Sequence, residues 1–206
     1  MSDNDTLRWW LLGGLLIAFP ITAYHRIRAH RSDDQLDRRQ EGLFILLTLR
    51  PVAFVFFVSL SLYLANPARM AWSAVPLPLW VRWSGVAMVG ATSALLWWTL
   101  HSLGANLTDT VVTRKLHSLV VHGPYQWVRH PFYDAVALLL FGVSLVSANW
   151  FMLAAGATVF TLLAVRARIE ERMLLARFGN DYRRYMARTN RFLPRMRAHR
   201  RRSDPA

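Results

Sequence analysis

Five stretches of this chain are apolar enough to enter a bilayer, and the connectors between them alternate between Arg-rich and Arg-poor. A hydrocarbon core about 30 Å thick is crossed by roughly 20 mainly apolar helical residues. The stretches run 7–24, 42–65, 79–100, 131–148 and 150–165. Only 147-SANW-150 separates the last two, which predicts a tight turn and an antiparallel helical hairpin. Backbone groups find no water inside a bilayer, so spanning segments must be helices or closed barrels. With 54% hydrophobic residues gathered in long blocks, the expectation is an all-α polytopic membrane protein with about five transmembrane helices. The first stretch follows Asp3 and Asp5 and shows no small-x-small cleavage site, so it reads as a retained helix rather than a signal peptide.

The connectors give a direction. Segment 25–41 carries five Arg, 66–78 carries Arg69 alone, 101–130 carries Arg114, Lys115 and Arg129, and 147–150 carries none. Residues 166–206 carry 13 Arg against 4 acidic residues. Basic loops stay on the cytoplasmic side. The N-terminus is therefore expected outside, with 25–41, 101–130 and the C-terminal segment in the cytoplasm.

The net charge is +13, and 24 of the 25 basic residues are Arg. These charges cluster at the ends of apolar blocks. That pattern suits topology and anionic lipid headgroups rather than nucleic acid, and the tail 195-RMRAHRRR-202 is expected to meet such headgroups. The chain has no Cys, which excludes disulfides, thiolate catalysis and Cys-ligated metals. A single Lys and an Arg-heavy balance point to a bacterial inner-membrane protein. Three parts follow: helices over 1–100, a core over 101–190, and a basic tail over 191–206.

Several polar residues stand out. Arg50, beside Pro51, interrupts the second block; it either lines the bundle interior or meets a substrate. Arg82 lies near the start of the third block and can snorkel to the interface in a structural role. Segment 101–130 is too rich in apolar and aromatic residues for a disordered linker, and 110-TVVT-113 and 118-SLVV-121 read as short extended pieces. Ile169, Met173, Leu174 and Phe178 recur at helical spacing, which predicts an amphipathic helix continuing the fifth span. Gly179-Asn180 would end or bend it. Arg166 and Glu170 share a face of that helix, and taken alone they read as an ordinary i,i+4 pair. His117, His122 and His130 lack a carboxylate at ligand spacing, so no metal site is expected.

The run 117-HSLVVHGPYQWVRHPFY-133, followed by 170-EERMLLARFGNDYRRY-185, resembles the membrane methyltransferases of the isoprenylcysteine carboxyl methyltransferase and phospholipid methyltransferase group. The shared pattern is His-x-Leu-Val, Gly-x-Tyr and Arg-His-Pro-x-Tyr, then a hairpin, then Glu-Glu with Phe-Gly-x-x-Tyr. The segment 103-LGANLT-108 is similar too, so the likeness covers roughly residues 101–190. It implies an S-adenosylmethionine-dependent methyltransferase acting on a lipophilic or small hydrophobic acceptor, with its cofactor pocket facing the cytoplasm. Carried over, the group's cofactor contacts fall on His117, Ser118, Leu119, Val120, Tyr125, His130, Pro131, Phe132, Tyr133 and Glu170. Its substrate-side arginine falls on Arg166, which with Glu170 forms the expected catalytic pair. Glu171 is not separable from Glu170 at this level.

The chemistry of the residues agrees. Glu170 suits an ammonium or ribose hydroxyls, while His130, Arg129 and backbone N–H groups suit a carboxylate. Tyr125 and Tyr133 suit an adenine or a sulfonium. Gly123 permits close backbone approach, and Pro131 suits the first position of a helix. Two other readings stay open. Membrane sterol reductases share an Arg-His-x-Tyr segment and bind NADPH, for which Arg183, Arg184 and Arg188 would supply a phosphate site. A non-enzymatic membrane protein could also keep this fold.

Overall fold

Each apolar stretch is a helix in the computed structural model, which describes residues 3–30, 43–104 and 119–195. They are α1 (Asp3–His30), α2 (Leu43–Ala65), α3 (Leu79–Leu103), α4 (Pro131–Ser147) and α5 (Trp150–Arg188). A 3-10 helix, Pro67–Ser73, joins α2 to α3. The described residues hold no strand, only two isolated bridges. Helices α1, α2, α3 and α5 are long and apolar enough to cross a membrane, while α4, with 17 residues, is apolar but shorter. At about 1.5 Å per residue α4 reaches roughly 25 Å. The expected five spans are thus four full-length candidates and one short helix. Large apolar side chains stand fully out on these helices, among them Phe54 at 69% exposure and Trp80 at 74%. Such surfaces are stable only against lipid or protein, and the chain is an integral membrane protein.

The core explains the arrangement. Leu7, Leu11, Phe56, Val89, Val143, Met152 and Val159 bring all five helices to one apolar cluster. Helix α3 packs chiefly on α1 and α4, and α5 packs on α4 and α2. The predicted hairpin is present. Ala148 adopts a left-handed conformation at the end of α4, and the Asn149 side chain caps α5 by accepting from the Met152 N–H at 3.0 Å. That turn is itself buried, because Asn149 also donates to Met70 O at 3.2 Å and Ser73 Oγ at 2.8 Å.

Arg82 holds this same end. Its guanidinium donates to Val146 O at 3.0 and 2.8 Å, and it also reaches Asn4 and Tyr63. The last carbonyls of α4 lack partners within the helix, and a cation is favoured there. Arg82 is therefore structural, as expected. Arg50 differs from one of its two expectations. Helix α2 runs on through Arg50-Pro51, and the Arg50 side chain is exposed rather than interior. A residue in the second turn of α2 lies close enough to the helix end for its long side chain to reach the interface.

The stretch 110–113, most of the connector 25–41 and nearly all of the basic tail fall outside the described residues. Of the stripe on α5, Met173, Leu174 and Phe178 are half-buried and Ile169 is exposed.

Candidate active site

At the opposite end of the bundle from Arg82, α3 ends, α4 begins, and α5 runs past both. With 39 residues α5 is about 58 Å long, roughly twice the hydrocarbon thickness. The part beyond residue 165 is therefore available to build a site outside the hydrocarbon. Gly179 breaks the helical geometry with φ 51°, so of the two expectations for Gly179-Asn180, an end or a bend, the structure shows the bend.

The chain enters α4 through a 3-10 turn, Gly123–Gln126. Gly123 has φ 62°, and a Cβ there would lie 2.2 Å from Ser102 Oγ on α3. Only glycine meets both demands cheaply. The Tyr185 hydroxyl on α5 donates to Tyr125 O at 2.6 Å and approaches Val128 O at 3.4 Å, which ties the turn to the kinked helix. His130 is the N-cap of α4 and Pro131 its first residue, as the sequence predicts. The His130 carbonyl accepts from the Tyr133 N–H at 2.9 Å. This folds the Tyr133 ring onto the imidazole, with centroids 5.3 Å apart and planes at 11°.

Glu170 is where the predicted residues meet. Tyr133 donates its hydroxyl to Glu170 Oε1 at 2.7 Å, and Arg166 Nε donates to the same oxygen at 3.0 Å. His130 Nδ1 lies 3.6 Å from Glu170 Oε2, too long for a direct hydrogen bond. The side chains of Glu170 and Arg166 are 20% and 15% exposed, so this is a recessed pair rather than a solvated one. Tyr125 is close enough to feel it. Burial, aided by Tyr185 and by the Glu170 charge, pushes the Tyr125 phenol well above its ordinary pKa, so it stays a neutral donor.

Glu171 faces elsewhere. Consecutive helical residues point about 100° apart, and Glu171 is turned inward with its side chain 5% exposed. It accepts from Arg129 Nε at 2.8 Å and from Arg191 Nε at 3.1 Å. His130 Nε2 lies 3.4 Å away but is poorly aligned, and it lacks a hydrogen-bond partner among the described residues. The two glutamates are thereby separated: Glu170 is held by Tyr133 and Arg166, and Glu171 is an internal counter-ion. Arg129 also differs from expectation. Its guanidinium is used by Glu171 and by the Met186 and Thr189 carbonyls at the end of α5. It is committed to structure and not offered to a ligand carboxylate.

The remaining predicted residues divide. Leu119 and Val120 are half-buried just before the turn. Pro131 is buried, and Phe132 packs against both apolar clusters. His117 and Ser118 lie outside the described residues. Arg183, Arg184 and Arg188 are exposed, whereas Tyr182 and Tyr185 on the same helix are buried. Arg184 pairs with Asp181. These arginines therefore lie on the exposed face of α5, opposite the buried tyrosines. Sequence reasoning missed Arg191 and Tyr185, for no local spacing links either to residues 125–130.

Comparison with known proteins adds to this picture. Residues 85–176 match the isoprenylcysteine carboxyl methyltransferase (ICMT) family. Methanethiol S-methyltransferase 1 of Bradyrhizobium diazoefficiens is 26% identical over 166 residues, covering 73% of this chain and 56% of that protein. Methanethiol S-methyltransferase of Mycobacterium tuberculosis is 36% identical over 73 residues, covering 35% of this chain and 29% of that one. The chain thus spans about half or less of these two relatives. Protein YpbQ of Bacillus subtilis is 26% identical over 175 residues and is covered to 96% of its length. Among solved structures, the eukaryotic intramembrane Ras methyltransferase ICMT matches with a TM-score of 0.60 over 94% of this chain and 68% of that one. At 18% identity this last likeness speaks for the fold.

Proposed function

Taking the chain as an ICMT-like membrane protein, we propose that it is an S-adenosylmethionine-dependent methyltransferase with a lipophilic or small hydrophobic acceptor. One observation carries this reading. Glu170, Tyr133, Arg166 and His130 converge in a recessed polar cluster where the short α4 begins, on the part of α5 beyond the apolar stretch.

The residues fit the cofactor by their chemistry. Among the described residues both direct donors to Glu170 fall on Oε1, and Oε2 is the oxygen suited to accept from an ammonium or a ribose hydroxyl. The stacked His130 and Tyr133 rings offer a face to an adenine or a cation. Bound there, S-adenosylmethionine supplies an activated methyl group. The protein's own task is alignment and exclusion of water, since methyl displacement needs reacting atoms held in line. Arg166 holds the Glu170 carboxylate in place and puts a positive charge where a carboxylate or thiolate acceptor can approach. Such acceptors need no general base, whereas an amine must first lose a proton. The methanethiol methyltransferases among the relatives favour testing small thiols first.

The Arg-rich connectors support a bacterial inner-membrane location with the site facing the cytoplasm. Reporter fusions at turn 147–150 should then report the outside; a cytoplasmic signal there would overturn the orientation. The function is tested by calorimetry of S-adenosylmethionine and S-adenosylhomocysteine on the folded protein. A methyl-transfer assay with labelled cofactor follows, against lipid extract and a panel of hydrophobic thiols, acids and amines. Absence of binding by either cofactor form would refute the proposal.

A further inference from the structure

The segment that follows α5 is tied to residues 128–130 and to Glu171, and its construction is unlike that of a loose tail. Thr189 leaves the helix in an extended conformation. Asn190 then forms a parallel bridge with Val128. The Arg129 N–H donates to Asn190 O at 2.9 Å, and the His130 N–H donates to Arg191 O at 3.1 Å. Arg191 turns back onto Glu171. The Phe192 ring lies 6.0 Å from His130 and 5.3 Å from Phe160 on α5.

Two backbone hydrogen bonds are a weak hold for an isolated extended segment. The ion pairs supply the rest. Glu171 is 5% exposed and lies between Arg129 and Arg191, while Arg129 also takes up carbonyls at the C-terminal end of α5. A buried carboxylate is tolerable only when paired in this way. The same Glu171 stands 3.4 Å from His130 Nε2. The backbone and ring of His130 are therefore both bounded by residues 190–192 and their anchor.

We infer that residues 189–192 are a strap belonging to the active site, in which Arg191 and Phe192 are positioning residues that act through Glu171 and His130. Its effect on cofactor binding rests on the methyltransferase reading above; the anchoring itself does not. The family-model match ends at residue 176, short of the strap.

The absence of Cys allows a direct test. Leu193, 76% exposed and just past the strap, is replaced by Cys and given a nitroxide label. In Arg191→Ala the label should become mobile and the Kd for S-adenosylhomocysteine should rise about tenfold or more, the worth of one charge-assisted hydrogen bond. Arg191→Lys should recover part of both, and Phe192→Leu should raise the Kd with little gain in label mobility. The thermal midpoint without cofactor should fall as well, because Arg191→Ala takes one of two cationic partners from the buried Glu171 and Phe192 packs against the bundle's apolar cluster, so label mobility and Kd are read well below it. A label that stays immobile in Arg191→Ala overturns the anchoring. A mobile label with parental affinity overturns the positioning role. If the parent protein binds no cofactor, the function reading fails, and the label alone still decides whether Glu171 holds the strap.

Discussion

Replacing Glu170 by Gln removes a charge while keeping the side chain's shape, and the structure allows its consequences to be worked out. The carboxylate accepts from the Tyr133 hydroxyl at 2.7 Å and from Arg166 at 3.0 Å. A hydrogen bond to a charged group contributes about 1.5–3 kcal/mol and a neutral one about 0.5–1.5. The Tyr133 bond should thus lose about 1 kcal/mol. The Arg166 pair, recessed at 15% and 20% exposure, also exchanges a charged acceptor for a neutral one and should lose about 1 kcal/mol more. If Oε2 also receives the cofactor's ammonium, the same exchange of a charged for a neutral acceptor weakens binding by about 1–2 kcal/mol. That is roughly a five- to thirtyfold rise in Kd. Calorimetry with S-adenosylhomocysteine in detergent or nanodiscs reads this directly. Arg166→Ala should behave differently, leaving the cofactor Kd within about twofold while turnover falls through poorer acceptor alignment. If both variants bind and turn over like the parent, the pair is a simple salt bridge, and the assignment of this helix to the active site is wrong. If Glu170→Gln abolishes turnover at parental affinity, the carboxylate does not hold the cofactor.

Two further outcomes follow from the geometry. Gly123→Ala must place a side chain at φ 62° with its Cβ 2.2 Å from Ser102 Oγ; a loss of about 1–2 kcal/mol from the backbone alone is expected, visible in thermal inactivation, and Ser102→Gly in the same protein should restore only the steric part. Arg82→Ala removes two hydrogen bonds from the end of α4 at the far side of the bundle; the thermal midpoint should fall, with about 1.5–3 kcal/mol at stake, while cofactor affinity stays parental, and an unchanged midpoint would show that the α4 terminus does not need this cap.

What the sequence by itself determined is whatever depends on neighbours along the chain. Apolar runs long enough for a bilayer became helices, because the backbone in lipid has no other way to satisfy its polar groups. The four residues 147-SANW-150 allowed nothing but a hairpin, and Gly123, Pro131 and Gly179 marked a close backbone approach, a helix start and an end or bend, each a local backbone preference. The pairing of Arg166 with Glu170 was legible for the same reason, being one helical turn apart. The tertiary structure decided which way adjacent residues face. Glu170 and Glu171 are chemically alike, and only the placement of α4 against α5 sends one to Tyr133 and the other to Arg129. It likewise committed Arg129 to the end of α5, put Arg50 on the outside of α2, and brought Arg191 and Phe192 back to His130. These contacts join residues 20 to 62 positions apart in the chain. Their energy comes from pairing charges that folding itself removes from water, so no spacing along the chain announces them.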